Sequence, residues 1–193
     1  MASLKPKTVP FHRERKRKTN YLKRLKLLLS KKKRMVLRFS NTKLNAQLVE
    51  FAPTGDKVLV AMDSFVLKKL GWKFSCKNLP AAYLAGLAFG KKVLKEGHQE
   101  AIFDTGAKAP LHKGKAYAFL KGALDAGLTI PHGADKEIFP SDEILTGKHI
   151  QEDLENVKKE GSRKRFTQYL KSDGEHKKIT DAFEQVKKKI IGN

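Results

Sequence analysis

Alternating apolar and polar residues between positions 33 and 65 predict three consecutive β-strands. In the first stretch, Met35, Leu37 and Phe39 point to one face and their neighbours to the other. A second apolar stretch, LNAQLVEFA, follows two turn residues, and a Pro-Thr-Gly-Asp turn leads into a third, KVLVAMDSF. Because short turns join successive strands, we expect them to pair as an antiparallel β-meander.

A short basic helix is predicted before the strands, within residues 20–32. Apolar residues recur there at helical spacing, lysine and arginine occupy the other faces, and Asn20 is suited to cap the first turn. The residues that we expect to pack on the folded body are Leu22, Leu25, Leu28 and Leu29.

A longer helix is predicted over residues 78–96, within the stretch NLPAAYLAGLAFGKKVLKE. Asn78 can cap this helix, Pro80 is tolerated in its first turn, and Gly97 can end it. Its many alanine and glycine residues, Gly86 among them, are expected to allow a close approach to the sheet.

The order of elements predicts an α/β fold. A short strand at 100–104 and a second helix at 114–127 follow the long helix. The expected sheet is therefore a three-stranded antiparallel meander that is extended by a further strand and packed against two helices.

Composition and charge divide the chain into three predicted parts. These are a basic arm with its short helix (1–32), the α/β domain (33–135) and a helical C-terminal extension (136–193). Within the extension, the segments that are helical by composition are 142–157, 163–170 and 175–191.

Charge is concentrated in the first quarter of the chain. The chain has 41 lysine and arginine residues against 20 aspartate and glutamate residues, a net charge of +21, and residues 1–43 alone carry 16 basic and one acidic side chain. Like charges repel in a free protein, so the imbalance indicates a polyanionic partner. Residues 1–19 contain Pro6 and Pro10, and we expect them to form an extended arm that orders on a phosphate surface.

Two other binding functions are less well supported. A membrane surface could receive the leucines of the short helix, but their apolar face is only two or three turns long and has no tryptophan anchor. The loop from Gly106 to Lys115 places a Gly-Lys pair before a helix, but seven residues separate its glycines where a P-loop has four, and Ala116 replaces serine or threonine. An RNA backbone contact is therefore favoured for this loop.

A metal-dependent nuclease is the alternative in a different class. Asp63, Asp104 and Asp125 lie near predicted element ends, and clustered carboxylates can hold two metal ions. No motif pairs these aspartates and the six histidines are scattered, so we expect no catalytic residue, metal or cofactor. The single cysteine, Cys76, cannot form an internal disulfide, and no apolar run approaches the ~20 residues of a membrane span.

Four stretches of the sequence resemble one protein family. They are RMVLRFSNTKLNAQLVEF, LPAAYLAGLAFGKKVL, IFDTG followed by HKGKAYAFLKGALDAGL, and TIPHG directly after it. Together they span roughly residues 10–135, and they resemble the eighteenth large-subunit ribosomal protein of archaea, whose eukaryotic relative is the fifth large-subunit protein. The helical extension is similar to the longer archaeal and eukaryotic form.

The resemblance implies a structural, non-catalytic protein of the cytoplasmic ribosome with a fold similar to that of ribonuclease H. It implies binding to 5S rRNA through the basic segment and one sheet face. The expected neighbours in the central protuberance are 23S rRNA, the fifth universal large-subunit protein and other proteins of that region. Taken with the charge run, it assigns RNA contact to Arg13, Arg15, Lys16, Arg17, Lys18, Tyr21, Arg24, Lys31, Lys32, Lys33, Arg34, Arg38, Ser40, Asn41, Gln47, Lys113 and Lys115.

Overall fold

The computed structural model describes residues 9–107, 109–133, 138–160 and 179–192, and these contain a four-stranded sheet. The predicted meander is confirmed: three antiparallel strands follow one another, and a fourth pairs in parallel with the first, giving the order β3-β2-β1-β4. The strands are β1 (Arg34–Phe39), β2 (Leu44–Glu50), β3 (Lys57–Asp63) and β4 (Ile102–Asp104).

Helices precede, interrupt and follow the strands, and the helices predicted over 20–32, 78–96 and 114–127 are present in that order. The helices are α1 (His12–Arg15), α2 (Tyr21–Leu29), α3 (Val66–Lys69), α4 (Leu79–Lys95), α5 (Lys115–Asp125), α6 (Asp142–Thr146), α7 (Lys148–Glu160) and α8 (Ile179–Gly192). The side chains of Asn20 and Asn78 accept hydrogen bonds from the amides of Lys23 and Ala81, both at 2.9 Å, which confirms the two predicted N-caps. Helix α1 was not predicted, because the arm was expected to be extended.

The register of the sheet explains why these strands share one buried face. Met35 lies opposite Leu48, and Leu48 in turn lies opposite Val60, so three apolar side chains form a row across the sheet. All three are at most 2 % exposed and belong to the hydrophobic core, in which α4 packs on β2 and β3. The opposite face carries Arg38 and Gln47, which are exposed.

The glycines of α4 serve a different contact from the one predicted. A Cβ atom built on Gly86 would overlap the backbone carbonyl oxygen of Phe119 in α5, and a Cβ on Gly122 of α5 would overlap the carbonyl oxygen of Tyr83 in α4. The prediction that Gly86 faces the sheet was therefore wrong. These glycines instead let the backbones of two helices come together.

The C-terminal helices share the core of the sheet domain. Ile179, Phe183, Val186 and Ile190 recur at helical spacing on α8, are at most 4 % exposed, and belong to the same hydrophobic cluster as the sheet. The helix predicted over 142–157 is interrupted at Gly147, whose φ of +90° ends α6. The predicted segment 163–170 lies outside the described residues. Among those described, no helix combines the length and apolar character needed to cross a membrane.

Candidate nucleic-acid interface

The short helix α2 is held over the outer sheet face by its basic side chains. Arg24 donates from one guanidinium nitrogen to both carboxylate oxygens of Asp56 at 2.9 Å, and Lys23 donates to Thr105 and to the carbonyl of Gly106, each at 3.3 Å. The expected packing of the leucines was wrong in part. Three of them remain exposed, by 56–72 %, and they are Leu22, Leu25 and Leu29.

Arg34 lies inside the fold and is 2 % exposed. Its guanidinium donates to Asp56 at 2.6 Å and to Asp104 at 3.1 Å. Burial by itself raises the pKa of Asp56, but hydrogen bonds from Arg34 and Arg24, and the charges of both, lower that pKa below its usual value of 3.8. This network joins β1, β4 and α2, so Arg34 acts here as a structural cation rather than as a free group.

The outer sheet face presents two of the predicted contact residues. Gln47 is exposed on β2, and Arg38 is exposed near the end of β1. The guanidinium of Arg38 is oriented by hydrogen bonds to the carbonyls of Leu37 (3.0 Å) and Asp104 (3.3 Å). The remaining donors of such a fork can reach a phosphate or a base edge.

The turn between β1 and β2 is shaped by Ser40. Its hydroxyl donates to the carbonyl of Lys43 at 2.9 Å and accepts from the amides of Thr42 and Lys43. The hydroxyl is therefore used within the turn, whereas the adjacent Asn41 is exposed. Ser40 thus fixes the loop that displays Asn41.

The arm and the segment after α2 carry the exposed cations. All five basic residues between His12 and Thr19 are exposed, and Arg13 donates to the hydroxyl of Thr19 at 3.0 Å. After α2, Lys31 is exposed, Lys32 pairs with Glu100 at 2.8 Å, and Lys33 contacts a ring nitrogen of His98. The five residues of the arm are Arg13, Arg15, Lys16, Arg17 and Lys18.

An aromatic pair joins the arm to α2. The rings of Phe11 and Tyr21 have centroids 5.2 Å apart, and Phe11 is 71 % exposed. Exposed rings among cations are suited to stack on unpaired RNA bases. Tyr21, predicted from the sequence, is half-buried and contacts the ring of Phe11.

A cavity of about 870 Å³ connects residues that are distant in the sequence. The arm, the end of β1 and the start of α5 all line it, and its predicted members are Arg13, Arg17, Lys18, Arg38, Lys113 and Lys115. Sequence reasoning missed Phe39, Lys77 and Leu111, which also line it. The alternation of β1 had placed Phe39 in the core, and isolated Lys77 gave no signal. Leu111 lies in the loop for which an RNA contact was favoured, but this apolar residue was not itself singled out.

The comparison with known families fits this surface. A family model described as ribosomal large subunit proteins 60S L5 and 50S L18 matches residues 6–103, just over half of the chain. The chain belongs to this family. The resemblance seen in the sequence is thereby confirmed, although the stretches after residue 103, including Lys113 and Lys115, lie outside the matched range.

Membership in the L5/L18 family makes this chain a ribosomal protein that associates with rRNA in the large subunit of the cytoplasmic ribosome. Proteins of such a family are typically not enzymes. The three aspartates of the nuclease alternative have separate partners: Asp63 pairs with Lys43, Asp104 with Arg34, and Asp125 accepts from the hydroxyl of Tyr83. Within the described ranges, no three acidic, histidine or cysteine side chains are grouped to hold a metal ion.

Proposed function

We propose that this chain is a structural constituent of the large subunit that binds 5S rRNA and helps to attach it to 23S rRNA in the central protuberance. The observation that carries the proposal is the meeting of cations from three segments around one cavity: Arg13 and Arg17, Arg38, and Lys113 with Lys115. A positive surface gathered in this way is matched by a phosphate backbone, which releases counterions when it binds.

In the proposed interface, some residues position the RNA backbone and others recognise particular nucleotides. Cations of the arm, of the segment after α2 and of the loop before α5 fix the RNA backbone, while Asn41, Gln47 and Arg38 reach base edges or ribose hydroxyls. Arg34 keeps its internal role and does not belong to the proposed contact set. Arg24 and Ser40 support the interface by holding α2 and the turn.

The neighbours in the central protuberance, including the fifth universal large-subunit protein, are part of the same proposal. The exposed leucines of α2 support a protein contact nearby, because three large apolar side chains gain more from a protein surface than from water. The arrangement of an antiparallel meander with a parallel fourth strand supports a relationship to ribonuclease H, as a statement about fold alone.

The direct test compares binding of the full chain to 5S rRNA and to an unrelated RNA of equal length. The measurement is repeated at several salt concentrations with magnesium present, and the RNA is checked for cleavage. A preference for 5S rRNA that survives moderate salt, with intact RNA, is expected. If both RNAs bind with equal affinity, and both affinities vanish as the salt concentration rises, the proposal is refuted. RNA cleavage that requires Asp104 would instead support the nuclease function.

Deletion of residues 1–19 tests the role of the arm. Residues 1–19 contain seven lysine and arginine side chains, and removing a cation that neutralises one phosphate lowers the salt slope by about one. We therefore expect weaker 5S rRNA binding with a slope reduced by up to about seven, while thermal denaturation shows an intact body. An unchanged affinity and slope in the deletion variant would remove the arm from the interface.

A further inference from the structure

The cavity between the arm, β1 and α5 has apolar walls as well as cations. Phe39 is 43 % exposed and Leu111 is 79 % exposed, and both line the cavity above a floor that includes buried Leu37. A phosphate backbone alone would need only the cations. Exposed apolar side chains in a concave site of this volume indicate a ligand that brings an apolar face together with negative charge.

Two cations of the wall occupy backbone conformations that side chains rarely adopt. Arg17 has a φ of 51° and Lys113 a φ of 55°, both in the left-handed region that glycine fills with less strain. Lys31 is the other non-glycine residue with positive φ in the described ranges, and it lies outside this cavity. A strained backbone that retains a cationic side chain indicates that the side chain itself has a use.

The start of α5 completes a place for a phosphate. Gly114 is the N-cap and, among the described residues, no side chain caps the first turn; Gly114, Lys115 and Ala116 all line the cavity. The first N–H groups of a helix have no acceptor within the helix, and they are suited to bind an anion. Burial, and then repulsion from the ammonium of Lys77, lower the pKa of Lys115. A bound anion would relieve that repulsion.

Resting on the proposed function, we propose that this cavity holds one unpaired nucleotide of the bound RNA. Its base lies against the ring of Phe39 and the side chain of Leu111, and its phosphate lies at the start of α5 beside Lys113. Proteins commonly recognise RNA at unpaired bases that are splayed out and stacked on aromatic rings. The described lining of the cavity contains seven cations and no carboxylate, which complements a nucleotide.

The test compares the full chain's affinity for a short single-stranded oligoadenylate with that for an RNA duplex of equal phosphate number. The wild type should prefer the single strand. Phe39→Leu keeps an apolar strand residue but removes the ring, and it should weaken single-strand binding by about fivefold to a hundredfold, the range expected for one stacked base. Phe65→Leu is the matched control, since Phe65 is exposed and does not line the cavity.

Lys113→Gly gives a second, independent variant. Because glycine tolerates the left-handed backbone, this variant should be at least as stable as the wild type, yet bind the single strand more weakly with a salt slope lower by about one. Lys31→Gly removes a cation from a backbone of the same conformation in the segment after α2, outside the cavity, so it should weaken binding to the single strand and to the duplex by the same factor.

The possible outcomes distinguish a failure of the nucleotide-site proposal from a failure of the proposed function. Equal affinity of the wild type for single strand and duplex, or equal effects of Phe39→Leu and Phe65→Leu, would overturn the nucleotide cavity. A preserved preference for 5S rRNA in the same preparations would show that the proposed function stands without it. Absence of a preference for 5S rRNA in the wild type would instead refute the proposed function. The two tests are independent, because the oligoadenylate measurement contains no 5S rRNA.

Discussion

Replacing Gly86 with alanine should push helices α4 and α5 apart. A Cβ on Gly86 would overlap the carbonyl oxygen of Phe119, and it would lie 2.9 Å from the carbonyl carbon and 3.1 Å from the Cα atom of the same residue. These atoms belong to the backbone of α5 and cannot rotate aside. The whole helix must therefore move before the methyl group fits.

The size of the effect follows from two opposing contributions. Overpacking of a buried contact costs about 1–3 kcal/mol, and the upper end applies because three backbone atoms of α5 are met at once. Alanine favours the helix over glycine by about 1 kcal/mol, which offsets part of that loss. We expect a net loss of about 2 kcal/mol in the free energy of unfolding, or about 4–8 °C in Tm for a chain of this length.

Thermal denaturation followed by circular dichroism measures the change. The matched control is Gly192→Ala in α8, where a Cβ would meet no atom within 4 Å. The control should leave Tm unchanged or raise it slightly. If Gly86→Ala were as stable as Gly192→Ala, the close approach of α4 and α5 would be refuted.

Two further predictions concern the buried ion-pair network. Arg34→Met leaves the carboxylate of Asp104, which is 5 % exposed, without its cation. In urea titrations this variant should lower the free energy of unfolding by about 3 kcal/mol, and adding Asp104→Asn should recover much of that loss. No recovery would mean that another contact of Arg34 dominates. Asp56 has a lower pKa in the folded chain than in the unfolded one, so its contribution is present above the usual pKa of 3.8 and is lost as the pH falls through the folded pKa. Asp56→Asn should therefore flatten the acid limb of a stability–pH profile measured by urea denaturation, whereas an unchanged limb would assign it to other carboxyl groups.

The sequence by itself determined most of the elements of this protein, although not α1 or the break at Gly147, because the information that most elements need is local. The alternation around Met35 and Leu37 defines β1, and the side chains of Asn20 and Asn78 define the start of α2 and α4 through hydrogen bonds three residues away. The excess of cations in the arm is equally local, and it pointed to a polyanionic partner.

Tertiary structure decided which of the cations are buried and which stay exposed. Arg34 and Arg38 share a strand, a face and a charge, yet β4 and Asp56 surround Arg34 with carboxylates while Arg38 stays exposed. Likewise, the alanine- and glycine-rich sequence around Gly86 does not indicate whether this residue faces a sheet or a helix. Such differences depend on which distant segment of the chain packs against the residue, and no local sequence pattern encodes this contact.

The cavity shows the same division most clearly. The cations of the arm and of the loop before α5 were both evident in the sequence, but Arg17 and Lys113 are almost a hundred positions apart in the chain. They line one cavity because the sheet brings the end of β1 close to the start of α5, and Phe39 becomes exposed only because it lies at the end of its strand. Sequence supplied the chemistry of the proposed interface, and long-range packing set the geometry of the cavity.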